Sequence, residues 1–505
     1  MADDLRRNVV RALGTSSVIS VLTKVLSLAA TLVLARLLSP ADFGLVAIAT
    51  TVTGVVGFFN EIGLGSAIVQ RPQVAEDEIN GCFGIAMLAS SALCLITLAL
   101  SWPMAGYYRM PALQPVLMAL SFSLYFGAFN TVPLALLRKS LRFQPVLWCS
   151  ALAVVVQACV SIPLAAAGAR HWAIVTGFLV GQTAATGCYW WASGWRPRWP
   201  MNLRQGRVLM GYGLNITYTR VLWHVYMNAD KLIIGKLLGP HAVGIYDVGK
   251  SLANLPTSQI SGVATNIASP VYARLQDDLL RLREAMLHLV RGVSYLTFPL
   301  LMGMAVLADD LIMTLMGPAW RDAVWPLRAL CLSEAVASIA NLQTQLLISS
   351  GNVKRLIRYN SVCALVLPAA LALAAWQAGL NGVALAWAVV YPVLYTWLLR
   401  EVLRVTDLRL IDWLRALGGP ARATAVMVLV LLALQPVLAG QWFPAARLAV
   451  GAVVGALVYG ACVVWTDARG LSEIRQVLTD LGVPAARLAG WPFSRLDKVV
   501  GVQGG

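Results

Sequence analysis

The sequence predicts an all-α, polytopic membrane protein of about fourteen transmembrane helices, built as two pseudo-symmetric six-helix lobes plus two C-terminal helices. Three observations predict it: an apolar composition, a succession of hydrophobic runs of helix length, and a motif that recurs after 200 residues. Of 505 residues, 59% are hydrophobic and 12% charged, and the mean hydropathy is +0.72. A soluble chain carries about twice that charge, so most of this surface must face lipid. In lipid every backbone polar group needs an internal partner, which leaves helices or a closed barrel. The apolar runs are about 18–25 residues long and do not alternate, which selects helices.

The spans lie near 12–36, 43–67, 80–104, 113–137, 146–168, 171–193, 208–236, 242–268, 287–308, 324–350, 356–378, 381–399, 420–438 and 445–465. Residues 1–11 are charged, and the first apolar stretch is too long for a signal-peptide core, so no cleavable leader is expected. Alternate loops divide the basic residues unequally. The side holding both termini carries 28 Lys and Arg, from Arg6, Arg7 and Arg11 to Lys498; the other carries 7. This bias places both termini in the cytoplasm and requires an even number of spans. The net charge of +16 therefore reads as an insertion signal, and no nucleic-acid partner is expected. Two stretches, 407–417 (DLRLIDWLRAL) and 471–481 (LSEIRQVLTDL), mix aliphatic and charged residues at helical spacing and are expected to lie along the cytoplasmic face. The eight cysteines sit almost all in apolar runs without a C-x-x-C pair, and are expected as small core residues rather than disulfides or metal ligands.

The recurring motif is RLLSPADFG at 36–44 and KLLGPHAVG at 236–244. Six spans, an even number, separate the copies, so both halves insert the same way round and are related by an axis along the membrane normal, with substrate at the repeat interface. The expected division is a six-helix lobe over 1–195, a second over 205–400, an interfacial helix with spans thirteen and fourteen over 401–466, and a cytoplasmic tail over 467–505.

Four basic residues fall inside spans: Lys24, Arg220, Lys231 and Lys250. At ~2.5–3.5 kcal/mol each on an insertion scale, they cost about 10–14 kcal/mol together, though Lys231 lies near a span end and can snorkel. At 100° per residue, Thr217, Arg220, His224, Asn228 and Lys231 share one face of span seven, and Asp247, Lys250, Asn254, Ser258, Ser261 and Thr265 share one of span eight. Ser16, Ser20, Thr23, Lys24, Ser27 and Thr31 form a similar stripe on span one. Helix packing accounts for the hydroxyls but poorly for the cations, which point to a wet, electropositive cavity suited to a phosphorylated substrate. The buried acids are Glu61, Asp230, Asp247 and Glu334. Any of them could bind and release a coupling proton, since desolvation raises a carboxyl pKa; Asp247 and Lys250, three apart, could instead simply pair.

The segments LARLLSPADFGLVAIA (34–49), FFNEIGLGSAIVQ (58–70), NADKLIIGKLLGPHAVGIYDVGKSLANLP (228–256) and ASPVYARLQDD (268–278) resemble the polysaccharide flippases (Wzx-type) of the multidrug/oligosaccharidyl-lipid/polysaccharide exporter superfamily, over about residues 10–410. The resemblance implies two V-shaped lobes, alternating access, an undecaprenyl-diphosphate-linked oligosaccharide as cargo in a bacterial inner membrane, and coupling to a proton or sodium gradient. It also implies diphosphate-binding cations in the central cavity, a role carried to Lys24, Arg220, Lys231 and Lys250, with His224, Asn228 and Asn254 beside them. Membrane lipid, a polysaccharide polymerase and chain-length or export proteins are the candidate partners; no cofactor or metal is expected. A drug exporter of the same superfamily should favour acids in its cavity, a peptidoglycan-precursor flippase differs only in cargo, and a membrane sugar polymerase or glycosyltransferase needs catalytic groups for which no constellation is visible.

Overall fold

The structure, a computed structural model, describes residues 2–58, 65, 68, 69, 71, 74–198, 203, 227–438 and 442–466, with side chains from residue 19 onward. It is all-α. In chain order the helices are α1 (Ala2–Leu37), α2 (Pro40–Phe58), α3 (Glu76–Tyr108), α4 (Leu113–Ser121), α5 (Ser123–Lys139), α6 (Phe143–Ala166) and α7 (His171–Ser193). After these come α8 (227–237), α9 (Pro240–Leu275), α10 (Leu279–Val306), α11 (Ala308–Leu315), α12 (Val324–Ser349), α13 (Val353–Thr406), α14 (Leu410–Leu438) and α15 (Pro444–Thr466). Ten stretches among the described residues are long and apolar enough to cross a membrane. The helices α7 and α9 have the length but fall short in hydropathy, diluted by Gln, Gly and Thr in one and by Asp247, Lys250 and Asn254 in the other. The long α13 is two spans, broken where Ala378 leaves helical geometry and Gly379 takes a φ of 60°. Spans four and thirteen differ in detail from expectation: α4 and α5 divide one span at Phe122, and the 407–417 stretch is not a separate surface helix. Its residues from Leu410 onward form the first turns of α14. Residues 208–226 of the seventh span, the 471–481 stretch and the tail lie outside the described residues.

Two compact units are present, one of Met1–Asp247 with Val366–Val383, the other of Val248–Leu365 with Ala384–Gly505. In the first, α6 and α7 form a hairpin whose backbones approach through small residues, as membrane helices do in place of a hydrophobic drive. A Cβ on Gly181 would sit 2.7 Å from the Ala153 carbonyl oxygen. Lower in the same hairpin Cys149 and Cys188 are disulfide-bonded, their Cα atoms 5.4 Å apart. This corrects the reading of all eight cysteines as unbridged. The two positions are equidistant from the turn at 168–169, so antiparallel packing brings them level.

The recurring motif has a structural counterpart. A Cβ on Gly44 would run into the carbonyl of Pro240 and the amide of Gly244; one on Gly244 would run into the carbonyl of Pro40 and the amide of Gly44. The contact is reciprocal, residue i meeting j′ and j meeting i′, which is the mark of a local two-fold relation. Ser39 opens α2, its hydroxyl 2.6 Å from the Asp42 carboxylate while the Asp42 amide approaches the Ser39 oxygen at 3.3 Å. The second copy has Gly239 there, at a φ of 88°, which only glycine adopts cheaply.

In the second unit, Tyr295 on α10, Ala423 on α14 and Val463 on α15 form one buried cluster and Val306, Met427 and Leu431 another. The Tyr459 hydroxyl donates to the Tyr295 carbonyl at 2.7 Å, satisfying a polar tip that lipid would leave unpaired.

Candidate substrate and ion-coupling site

The charged residues of spans seven and eight meet because α8 and α9 are joined by a two-residue turn at Leu238–Gly239. The Leu238 and Gly239 amides both donate to the Ile234 carbonyl, at 2.7 and 3.2 Å, and the chain folds back on itself. Antiparallel partners then sit level at equal distances from the turn. Lys231 faces Asp247, with Nζ 2.6 Å from Oδ1 and side chains 17% and 26% exposed. One residue along, Asp230 is fully buried. Its Oδ2 accepts from the Tyr246 hydroxyl at 2.7 Å and its Oδ1 from the Lys231 amide at 2.8 Å. Two carboxylates and one ammonium thus share the base of the hairpin. A buried charge is tolerable only with partners of this kind.

The continuation of α9 belongs to the second unit and packs its polar stripe on α12. Asn254 donates to the Glu334 carboxylate at 3.2 Å, Thr257 to the Glu334 carbonyl at 3.3 Å and Ser261 to the Ser338 carbonyl at 3.1 Å. The Lys250 ammonium stands 4.9 Å from the centre of the Trp387 ring, a cation–π geometry, and within electrostatic reach of Glu334. The lower stripe is therefore partly helix-to-helix glue, whereas Lys250, Asn254 and Glu334 make a separate polar group.

The structure joins some of the sequence candidates and separates others. Lys231, Asp230 and Asp247 form one cluster, with Asn228 half-buried one turn before Lys231, and Lys250, Asn254 and Glu334 form a second. The alternative of an Asp247–Lys250 pair is overturned. Lys231 takes the Asp247 carboxylate instead, because the hairpin sets those two side chains level. Lys24 is exposed on α1; its neighbours Thr23 and Thr31 turn their hydroxyls onto their own helix, at the Ile19 and Ser27 carbonyls. Arg220, His224 and Glu61 lie outside the described residues. Tyr246 and Trp387 were missed. Tyr246 was legible as the residue before Asp247 on the facing helix of the same hairpin; Trp387, 137 residues from Lys250, carries no local signal.

The profile of polysaccharide biosynthesis proteins matches residues 33–325, more than half of the chain and the whole of the α8–α9 hairpin. The chain belongs to this family. It is 22% identical to the lipopolysaccharide biosynthesis protein WzxC of Escherichia coli, over 76% of this chain and 79% of that one. A membrane protein of the Klebsiella pneumoniae cps region is 23% identical over 85% and 89%, and the teichuronic acid biosynthesis protein TuaB of Bacillus subtilis is 22% identical over 79% and 83%. Among solved structures, the lipid II flippase MurJ in an inward closed conformation superposes with a TM-score of 0.73, covering 89% of this chain and 97% of that one at 14% identity. An inward-facing MATE-family multidrug transporter gives 0.59, over 76% and 96%. The chain thus shares the fold of these two transporters and is a multi-pass membrane protein of the polysaccharide biosynthesis family.

Proposed function

We propose that the protein flips an undecaprenyl-diphosphate-linked oligosaccharide from the cytoplasmic to the periplasmic leaflet of a bacterial inner membrane, by alternating access. The observation that carries this reading is the family match over 33–325, in a chain whose helices are built to cross a membrane. The charge pattern agrees with it. Lys24, Arg220, Lys231 and Lys250 supply cations for a diphosphate, with His224, Asn228 and Asn254 as further donors, and an anionic cargo gives a reason to keep them in apolar helices. The oligosaccharide passes through the wet interior and the polyprenyl tail stays in lipid. Both termini face the cytoplasm. A cation gradient drives the cycle, with Asp247, Asp230, Glu334 and Glu61 as the acids that load and release the ion. Lys231 holds Asp247 in the empty state and exchanges it for phosphate when cargo arrives, which links cargo to ion by competition for one side chain.

The test is export of polymer in a host deleted for its own flippase, with accumulation of the lipid-linked repeat unit on the cytoplasmic side as the second readout. Lys250→Ala and Arg220→Ala should abolish export while the protein still inserts at normal levels. Normal export in both would overturn the role given to the cations. A chain that instead restores growth in a host lacking its peptidoglycan-precursor flippase would transfer the reading to that cargo.

A further inference from the structure

In the second unit α11, the start of α12, the end of α14 and the start of α15 border an open cavity of about 320 Å³, lined by Asp309, Asp310, Arg321, Arg328 and Arg447 on its polar side and by Leu431, Leu434 and Leu438 on its apolar side. That volume lies in the range of small-ligand sites. It is remote in sequence from the α8–α9 hairpin and shares no residue with it. The polar wall carries three guanidiniums and two carboxylates, a net charge of +1. One Arg is committed: Arg447 Nη2 lies 2.7 Å from Asp310 Oδ1. Its Nε is nevertheless buried with no hydrogen-bond partner, and such a donor at a cavity wall is costly unless an acceptor arrives. Arg321 and Arg328 are exposed and have no carboxylate at ion-pair distance among the described residues.

We propose that this cavity binds the phosphate of an anionic phospholipid headgroup, with the first methylenes of its chains laid along the α14 leucines. The shape of the lining chooses a lipid over a free phosphate. Guanidiniums match phosphate oxygens in planar, paired hydrogen bonds, and the leucine wall beside them has no use for an inorganic ion. The depth agrees. Trp325, Trp442 and Phe443 are 42%, 48% and 71% exposed at the same helix ends, and exposed aromatics settle at headgroup level. The helices that supply the apolar wall are also open to lipid: only 22% and 17% of the best spans of Leu410–Leu438 and Pro444–Trp465 are buried.

The experiment is native mass spectrometry of the full chain, released from detergent and titrated with dioleoyl-phosphatidylglycerol, dioleoyl-phosphatidylcholine or inorganic phosphate. The wild type should retain phosphatidylglycerol in preference to phosphatidylcholine. The double variant R321Q/R328Q should bind phosphatidylglycerol about five- to thirty-fold more weakly, a factor set by the loss of two basic residues near an anionic headgroup. R281Q, which removes an exposed arginine elsewhere, should bind like the wild type. Equal retention by wild type and R321Q/R328Q would overturn the proposal, as would equal retention of the two lipids. Displacement of the lipid by low-millimolar inorganic phosphate would also overturn it, since the site would then be a free-anion site. Should the double variant unfold, R328Q alone carries the same comparison.

Discussion

Lys231 and Asp247 stabilise one another only while both are present. Each is less than a third exposed, so removing one partner leaves the other charge in a poorly solvated place, at a cost of about 2–4 kcal/mol. Lys231→Met and Asp247→Asn should each lower the thermal unfolding midpoint of the purified protein, and the double variant should recover most of the loss. The swapped pair, Lys231→Asp with Asp247→Lys, should restore stability without restoring export if the position of the ammonium matters for cargo; export by the swapped protein would show the pair to be structural only. Tyr246→Phe removes one of the donors to a fully buried carboxylate and should cost about 1–3 kcal/mol in the same assay. Asp310 behaves differently, because burial pushes its carboxyl above the usual range by more than the Arg447 guanidinium beside it pulls down. A raised folded-state pKa means stability that is full below the ordinary aspartate value of 3.8 and lost as pH rises through the folded value. Stability of the wild type should therefore gain on acidification from neutral pH relative to Asp310→Asn, and identical pH profiles for the two would contradict it. At this scale the sequence told which residue types mattered better than which touched. Periodicity on a single helix put Lys250 beside Asp247. The contact that forms instead crosses a turn, and a rule of equal distances from Gly239 was needed to see it.

Helix pairs here are set by small residues at crossings and by the turns that align them. The same symmetry about a turn that aligns Lys231 with Asp247 aligns Cys149 with Cys188, and it was readable from the span boundaries on either side of residue 168. Close cysteine spacing marks metal sites and redox motifs, whereas this bridge spans 39 residues because antiparallel helices bring distant positions level. Gly181 lets α6 and α7 touch backbone to backbone, so Gly181→Leu should force that hairpin apart and lower the yield of folded protein several-fold, measured by size-exclusion recovery in mild detergent. The Gly44–Gly244 crossing carries a different prediction, because it joins the two copies of the repeat. A side chain at either position cannot be accommodated against backbone that has no freedom to move aside. Gly44→Leu should therefore separate the copies. In a background without native cysteines, spin labels at Leu37→Cys and Leu237→Cys, both exposed helix-end sites, should report a longer distance in Gly44→Leu than in the parent. An unchanged distance would mean that the crossing yields elsewhere.

At the scale of the molecule, the two copies of the repeat share geometry but not charge. Shifting by 200 residues turns Asp230, Lys231, Tyr246 and Asp247 into Ala30, Thr31, Val46 and Ala47, and Lys250 into Thr50. The first copy carries no charged side chain at any of these positions, so the repeat geometry alone does not account for the charged set at the second. Fold class and helix order were legible because hydrophobic length and the positive-charge bias are summed over many residues, and local errors such as the break at Phe122 do not propagate. The even number of spans expected from the charge bias has a direct consequence for topology. With 28 basic residues on one side and 7 on the other, a reporter fused after Thr466 must lie on the same side as the N-terminus, and one fused after Trp442 on the opposite side. Green fluorescent protein at Thr466 should therefore fluoresce and alkaline phosphatase there stay inactive, with the reverse at Trp442. An active phosphatase at Thr466 would require an odd number of crossings and would overturn the expected count.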